Sequence, residues 1–263
     1  MPEPMPPGAE QPSNRPALAR RLLAEFLGTG LLVAVVVGSG IAAQRLSPGD
    51  TGLQLLQNSL TTVFGLGVLI LLFGPVSGAH FNPVVSAVDW LLGRRAGTGL
   101  TGADTLAYTA TQILGGIAGA ALANIMFDLS LLQLSEHTRT GVPLWIGEIV
   151  ATAGLIAVIV ALARTGRAAL SAGAVAAWIG AAYWFTSSTS FANPAVTIAR
   201  MFSDTFAGIS PTSTPMFILA QILGAALGAL LAVALYPDAP RFADRVVVQR
   251  DPLSAQVAET DTR

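Results

Sequence analysis

Residues 190–200 read SFANPAVTIAR, and residues 77–86 read SGAHFNPVVS. Each stretch sets an Asn-Pro pair, Asn193-Pro194 and Asn82-Pro83, among mostly apolar residues, with Arg200 and His80 as the nearest ionisable groups. Asparagine is a favoured helix N-cap. Proline fits the first helical turn, where its missing N–H is no loss. Each pair therefore predicts the start of a helix. From Pro83 to Gly93, or from Pro194 to about Phe206, the run is about 16–20 Å long at 1.5 Å per residue. That is little more than half of a ~30 Å hydrocarbon core. Such segments would dip to a membrane centre and return.

The composition supplies the membrane. Of 263 residues, 52% are hydrophobic and 11% charged, with mean hydropathy +0.63, whereas soluble domains carry about 25% charged residues. Six apolar runs come near the ~20 residues needed to cross a bilayer: Leu18–Ala43, Leu53–Phe73, Thr105–Phe127, Leu144–Ala163, Ala169–Phe185 and Met216–Leu235. The first lacks a small-residue cleavage site and is read as a retained helix. With zero cysteines there is no disulfide or thiolate chemistry, and His80 and His137 are too few for a histidine-rich metal site. No cofactor motif or nucleophile–base pair is found. A net charge of −1 gives no ground for a nucleic-acid partner.

All 14 basic residues are arginine. Six crossings put both termini on one side. That side collects Arg15, Arg20, Arg21, Arg94, Arg95, Arg164, Arg167, Arg241, Arg245, Arg250 and Arg263; the other receives Arg45, Arg139 and Arg200. Basic residues near span ends mark the cytoplasmic face, so both termini are expected inside, in a cell inner (plasma) membrane. The proline-rich, polar residues 1–17 and the tail 237–263 are expected to be disordered.

The chain also repeats itself. QILGGIAGA at 112–120 returns as QILGAALGA at 221–229; Asn82-Pro83 returns as Asn193-Pro194, and Glu25-x-x-x-Thr29 returns as Glu148-x-x-x-Thr152. The halves, 18–127 and 143–236, are joined by an outer loop at 128–142. Three spans each make them inverted, and such repeats place the functional site near the midplane, where broken helices meet. The expectation is an all-α membrane protein of six transmembrane helices and two re-entrant half-helices in an inverted repeat.

With both Asn-Pro loops, both glutamates and both Gln-x-x-Gly-x-x-x-Gly patterns in place, residues 18–236 resemble the aquaporin, or major intrinsic protein, family. The resemblance implies a passive, homotetrameric channel for small uncharged solutes such as glycerol, urea or arsenous acid, with some water permeability and no cofactor. Its pore motifs would be Asn82, Pro83 and Val84 with Asn193, Pro194 and Ala195. Glu25 and Glu148 would turn inward and accept hydrogen bonds from the re-entrant loops; a proton relay is the alternative. His80 would line the cytoplasmic vestibule or pack, and His137 would be solvated.

Family members usually carry arginine three residues after the second asparagine, where this chain has Val196. Counting from the motifs gives Thr62, Ala181 and Ser190 as its companions, with Phe64 the alternative to Thr62. This set is small, which predicts a filter wider than a water-selective one; a water-selective channel and a secondary transporter are the rival readings. Arg200 lies one turn beyond Val196 on the same helical face. It either lines the outer vestibule or pairs with Asp204, and the pairing is the preferred expectation.

Overall fold

The structure, a computed structural model, describes residues 15–94 and 97–237. Most of the two terminal tails, and with them Arg95, Arg241, Arg245, Arg250 and Arg263, lie outside the described residues. The described chain is all-helical: α1 (Leu18–Leu46), α2 (Thr51–Ser77), α3 (Pro83–Gly93), α4 (Gly102–Met126), α5 (Val142–Arg164), α6 (Ser171–Phe185), α7 (Pro194–Ala199) and α8 (Thr214–Leu235). Six of these, α6 with the 3₁₀ turn before it, are long and apolar enough to cross a membrane. Local chemistry sets their ends. Asp50 and Thr101 cap α2 and α4 through Leu53 N and Asp104 N, and Gly78 (φ 89°) closes α2 in the left-handed region.

Packing follows the repeat. α1 lies against α4 as α5 lies against α8, and α2 meets α6 between the halves. A Cβ on Gly115 or Gly119 would press into the carbonyls of Phe26 and Gly30; on Gly224 or Gly228 it would press into those of Ile149 and Ala153. The second set of partners is the first advanced by 123 residues, the spacing of the two glutamates. Small residues at those crossings let backbones touch, which is how helices associate where lipid competes for every apolar side chain.

The two short helices differ from one another. α3 has the expected eleven residues, but α7 stops at Ala199 and passes through a 3₁₀ turn, Arg200–Phe202, instead of reaching about Phe206. The cause is competition for its last carbonyls. Met201 O accepts from Ser135 N, and Phe202 O accepts from Gln133 N and the Asn124 side chain. The 127–141 connection thus draws the chain out of the helix.

Candidate functional site

The two Asn-Pro loops meet back to back at the centre of the helix ring. Asn82 caps α3, its Oδ1 accepting from Val84 N (3.1 Å), and Asn193 caps α7, its Oδ1 accepting from Ala195 N (2.9 Å) and Val196 N (3.2 Å). Each side chain also crosses to the other loop. Asn82 Nδ2 donates to Ala192 O (2.8 Å) and Asn193 Nδ2 to Phe81 O (2.7 Å). An amide nitrogen carries two hydrogens, so one per asparagine is left for the cavity that both line.

This geometry needs uncommon backbone. Ala79 and Phe81 (φ 50° each) are matched by Ser190 and Ala192 (φ 51° and 49°), none of them glycine. The left-handed conformation costs such residues roughly 1–2 kcal/mol each, so something must hold it. Glu25 does so in the first loop: Oε1 accepts from Ser77 Oγ (2.6 Å) and His80 N (3.0 Å), and Oε2 from Phe81 N (2.7 Å) and Gln112 Nε2 (2.7 Å). Glu148 does so in the second, accepting from Phe191 N (2.8 Å), Ala192 N (2.9 Å) and Gln221 Nε2 (2.7 Å). Both glutamines brace the half-helices as well, through Ser86 Oγ and Thr197 Oγ1. Both glutamates are fully buried, and each buried charge has the several donors it requires.

A cavity of about 140 Å³ runs from the α6 start, near Ala168 and Ala172, past His80 and the two asparagines to Thr62, Ser190, Val196 and Arg200. His80 lines it, with Nδ1 3.0 Å from Ser86 Oγ and Nε2 buried without a partner. Thr62 lines it, while Phe64 points away and is 69% exposed. Pro83, Val84, Pro194 and Ala195 are buried in the half-helix starts and do not themselves line it.

Two sequence expectations are corrected. Ala181 is exposed on the outside of α6 and is absent from the cavity wall; Tyr183 takes that place, its hydroxyl 3.3 Å from Thr62 Oγ1. Two positions are about 200° around a helix, so an error of two in the count reverses the face. The signal was there in Val175, Ile179 and Tyr183, an i, i+4, i+8 stripe that all faces the cavity. Arg200 does not pair with Asp204. The helix ends before that residue, whose Oδ1 accepts instead from Glu136 N (2.9 Å) and Ser135 Oγ (3.4 Å).

Arg200 instead stacks on Phe191, its Cζ 3.4 Å from the ring centroid, while its Nε donates to Ala207 O. The 127–141 connection brings Arg139 to the same ring, with Cζ 5.2 Å from the Phe191 centroid, Nε on Gly208 O (2.8 Å) and Nη2 on Phe206 O (3.0 Å). Burial pushes the Arg139 guanidinium down to about 10 against the pull of Glu148 and Tyr183, so it is a cation at neutral pH. His137 is exposed, as expected, and its imidazole is held below its ordinary value by partial burial first and then by Arg139 and Arg200. Neither Phe191 nor Arg139 stood out in the sequence. Both act through loop packing, which has no period to read.

The chain is similar to known proteins over most of its length. The aquaglyceroporin AqpS of Rhizobium meliloti (strain 1021) is 51% identical over 224 residues, covering 85% of this chain and 93% of that protein. The glycerol uptake facilitator protein of Pseudomonas aeruginosa is 31% identical over 256 residues, covering 81% and 88%. Among solved structures, the aquaglyceroporin from Plasmodium falciparum superposes with a TM-score of 0.57 at 19% identity, over 84% of this chain and 96% of that one, which speaks to the fold alone. Residues 13–191 match the family described as Major intrinsic protein, and the chain belongs to that family.

Proposed function

We propose that the protein is a passive channel for small uncharged solutes, glycerol-like polyols foremost, with some water permeability. The observation that carries this reading is the pair of half-helix N-termini meeting in one cavity, with an amide N–H of Asn82 and another of Asn193 left to donate into it. Helix N-termini are positive ends of dipoles; two of them aimed at one point favour a solute's oxygen acceptors and oppose cations. Pore width, lining donors and such dipoles together set selectivity in pores of this kind. AqpS and the Pseudomonas protein, by name an aquaglyceroporin and a glycerol facilitator, support the substrate class.

The filter we assign is Thr62, Tyr183, Ser190 and Val196, with Tyr183 in the place first expected for Ala181. Three hydroxyl-bearing residues face one aliphatic side chain, a lining suited to hydroxylated solutes with a C–H face. Urea and arsenous acid, both small and neutral, belong to the expected range. The alternative, a channel restricted to water, is less well supported, because Val196 brings neither charge nor bulk. Glu25 and Glu148 act as braces, their oxygens already committed to loop donors. His80 lines the cytoplasmic half, both termini face the cytoplasm of a plasma membrane, and the assembly is a homotetramer in the bilayer.

Stopped-flow light scattering on proteoliposomes, comparing water, glycerol, urea and arsenous acid against empty vesicles, tests the reading. Faster relaxation with at least glycerol is expected. Water flux with no solute flux would replace it by the water-selective alternative, and no flux at all would end it.

A further inference from the structure

The cavity holds a cation with no ion-pair partner among the described residues. Arg200 is 2% exposed and lines the cavity wall together with Val196, one turn before it. Among the described residues it makes no ion pair, and Asp204, the nearest acid along the chain, is committed to Glu136 and Ser135. Its Nε is used by Ala207 O. Its two terminal nitrogens donate to no described group, and they are not sealed off from the cavity. They therefore open onto the lumen. Ser190 lies on the same wall, but its Oγ is sealed from the lumen. The Tyr183 and Thr62 hydroxyls close the ring.

A guanidinium is the one basic group suited to such a place. It is planar, weakly hydrated and stacks on aromatic faces, and Phe191 supplies that face, itself wedged edge-on against Phe217 at 5.2 Å. Stacking fixes the plane of the group, so its free N–H donors point in set directions. Buried donors of a charged group that find no protein acceptor must be satisfied by what enters the cavity. Water or a passing hydroxyl oxygen can do that. A cation cannot, and meets the full charge at pore-scale distance.

We propose that Arg200, one turn beyond the position usual for this role, is the pore's charge barrier and its principal solute-binding donor, with the Tyr183 and Thr62 hydroxyls beside it. The inference rests on the channel reading above and adds to it the location of the charge: it sits about one helical turn, roughly 5 Å, beyond Val196 along the same cavity wall. The solute it takes is small, neutral and rich in oxygen acceptors. Val196 remains the aliphatic face of the filter beneath it.

The cysteine-free chain offers a direct test. Arg200→Cys is reconstituted and its potassium and proton leak measured alongside its glycerol and water permeabilities. Leak is expected to rise at least about tenfold, since a unit charge acting at a few ångströms in a poorly screened site is worth several RT. Treatment with a cationic methanethiosulfonate, which restores a positive charge on that sulfur, is expected to return the leak toward the wild-type level. The anionic reagent is expected to raise it further. Wild-type exclusion in Arg200→Cys, unchanged by either reagent, would overturn the proposal while leaving the channel reading intact. Absence of water and solute flux in the wild type would instead undo that reading. If Arg200→Cys fails to fold, Arg200→Lys decides: it keeps the charge and loses the stack, so cation exclusion should persist while the glycerol-to-water ratio shifts by at least twofold. Loss of exclusion with the charge kept, or an unchanged ratio, refutes the assignment.

Discussion

Replacing Glu25 by glutamine asks how far one carboxylate holds the first loop. Glu25 accepts four hydrogen bonds, two on each oxygen. Glu25→Gln keeps the shape and one oxygen but turns the other into a donor. On the Oε2 side that donor faces Phe81 N and Gln112 Nε2. Gln112 has an exit, because its own Oε1 is unpartnered; turning its amide over would supply an acceptor and give up the bond to Ser86. Phe81 N has none, since the left-handed backbone around it fixes where it points. An orphaned buried donor costs about 1–3 kcal/mol, and the two bonds left on Oε1 each lose about 1 kcal/mol of charge assistance. A neutral amide is easier to bury than a carboxylate, which offsets part of this. The net loss is expected to be about 2–4 kcal/mol, with a further consequence in the pore. When Phe81 relaxes, its carbonyl stops receiving the Asn193 side chain, so water permeability per reconstituted molecule should fall as well. Glu148→Gln disturbs the matching set of Phe191 N, Ala192 N and Gln221 Nε2, with the Ser188 hydroxyl beside them, and should cost about as much. Denaturation midpoints of the purified variants, with stopped-flow flux on the same preparations, check both statements. A Glu25→Gln or Glu148→Gln protein within about 0.5 kcal/mol of wild type, the range of ordinary surface changes, would refute the bracing argument.

Three other outcomes are expected. Gly119→Ala drives a methyl into the Gly30 carbonyl and should destabilise by about 1–3 kcal/mol or more as overpacking, whereas Gly173→Ala, with nothing within 4 Å, should gain a few tenths to about 1 kcal/mol from helix propensity; thermal unfolding compares them. Val196→Arg fills cavity space next to Arg200 and should lower glycerol permeability more than water permeability, so an unchanged or raised ratio removes Val196 from the filter. Mercuric ion should leave water flux intact, since there is no thiol to modify; inhibition reversed by a thiol reductant would contradict this.

What was legible in the sequence was whatever the duplication wrote twice. Asn82 with Asn193, Glu25 with Glu148 and Gln112 with Gln221 were found as pairs, and the structure joins them in matching hydrogen bonds. The glycine crossings were legible for the same reason. Ala181 failed because it was located by counting back across a turn, Thr186–Thr189, whose length was assumed, and a helix converts a two-residue error into the opposite face. The Arg200–Asp204 pairing failed because spacing i, i+4 means contact only while a helix lasts. The 127–141 loop takes over the Met201 and Phe202 carbonyls, and no local pattern in residues 194–206 announces that distant competitor.

The repeat also shows how a symmetric scaffold carries a barrier at one end. The spacing of the two asparagines, applied to Arg200, leads back to Asp89 on α3. Both residues turn toward the chain that follows their own half-helix: Arg200 donates to Ala207 O, and Asp89 Oδ2 accepts from Leu100 N at 2.7 Å. Equivalent positions thus close equivalent loops with opposite charges. The difference lies in what is left over. Asp89 does not line the cavity, whereas Arg200 does and keeps two nitrogens for it. A carboxylate at the lumen of α3 would draw cations toward the same midplane from which two helix N-termini repel them. A guanidinium at the lumen of α7 adds to that repulsion, and its free donors hold the oxygen of a neutral solute. Opposite charges at one position of the repeat therefore let the loop-closing role be kept in both halves while the electrostatic role is confined to one.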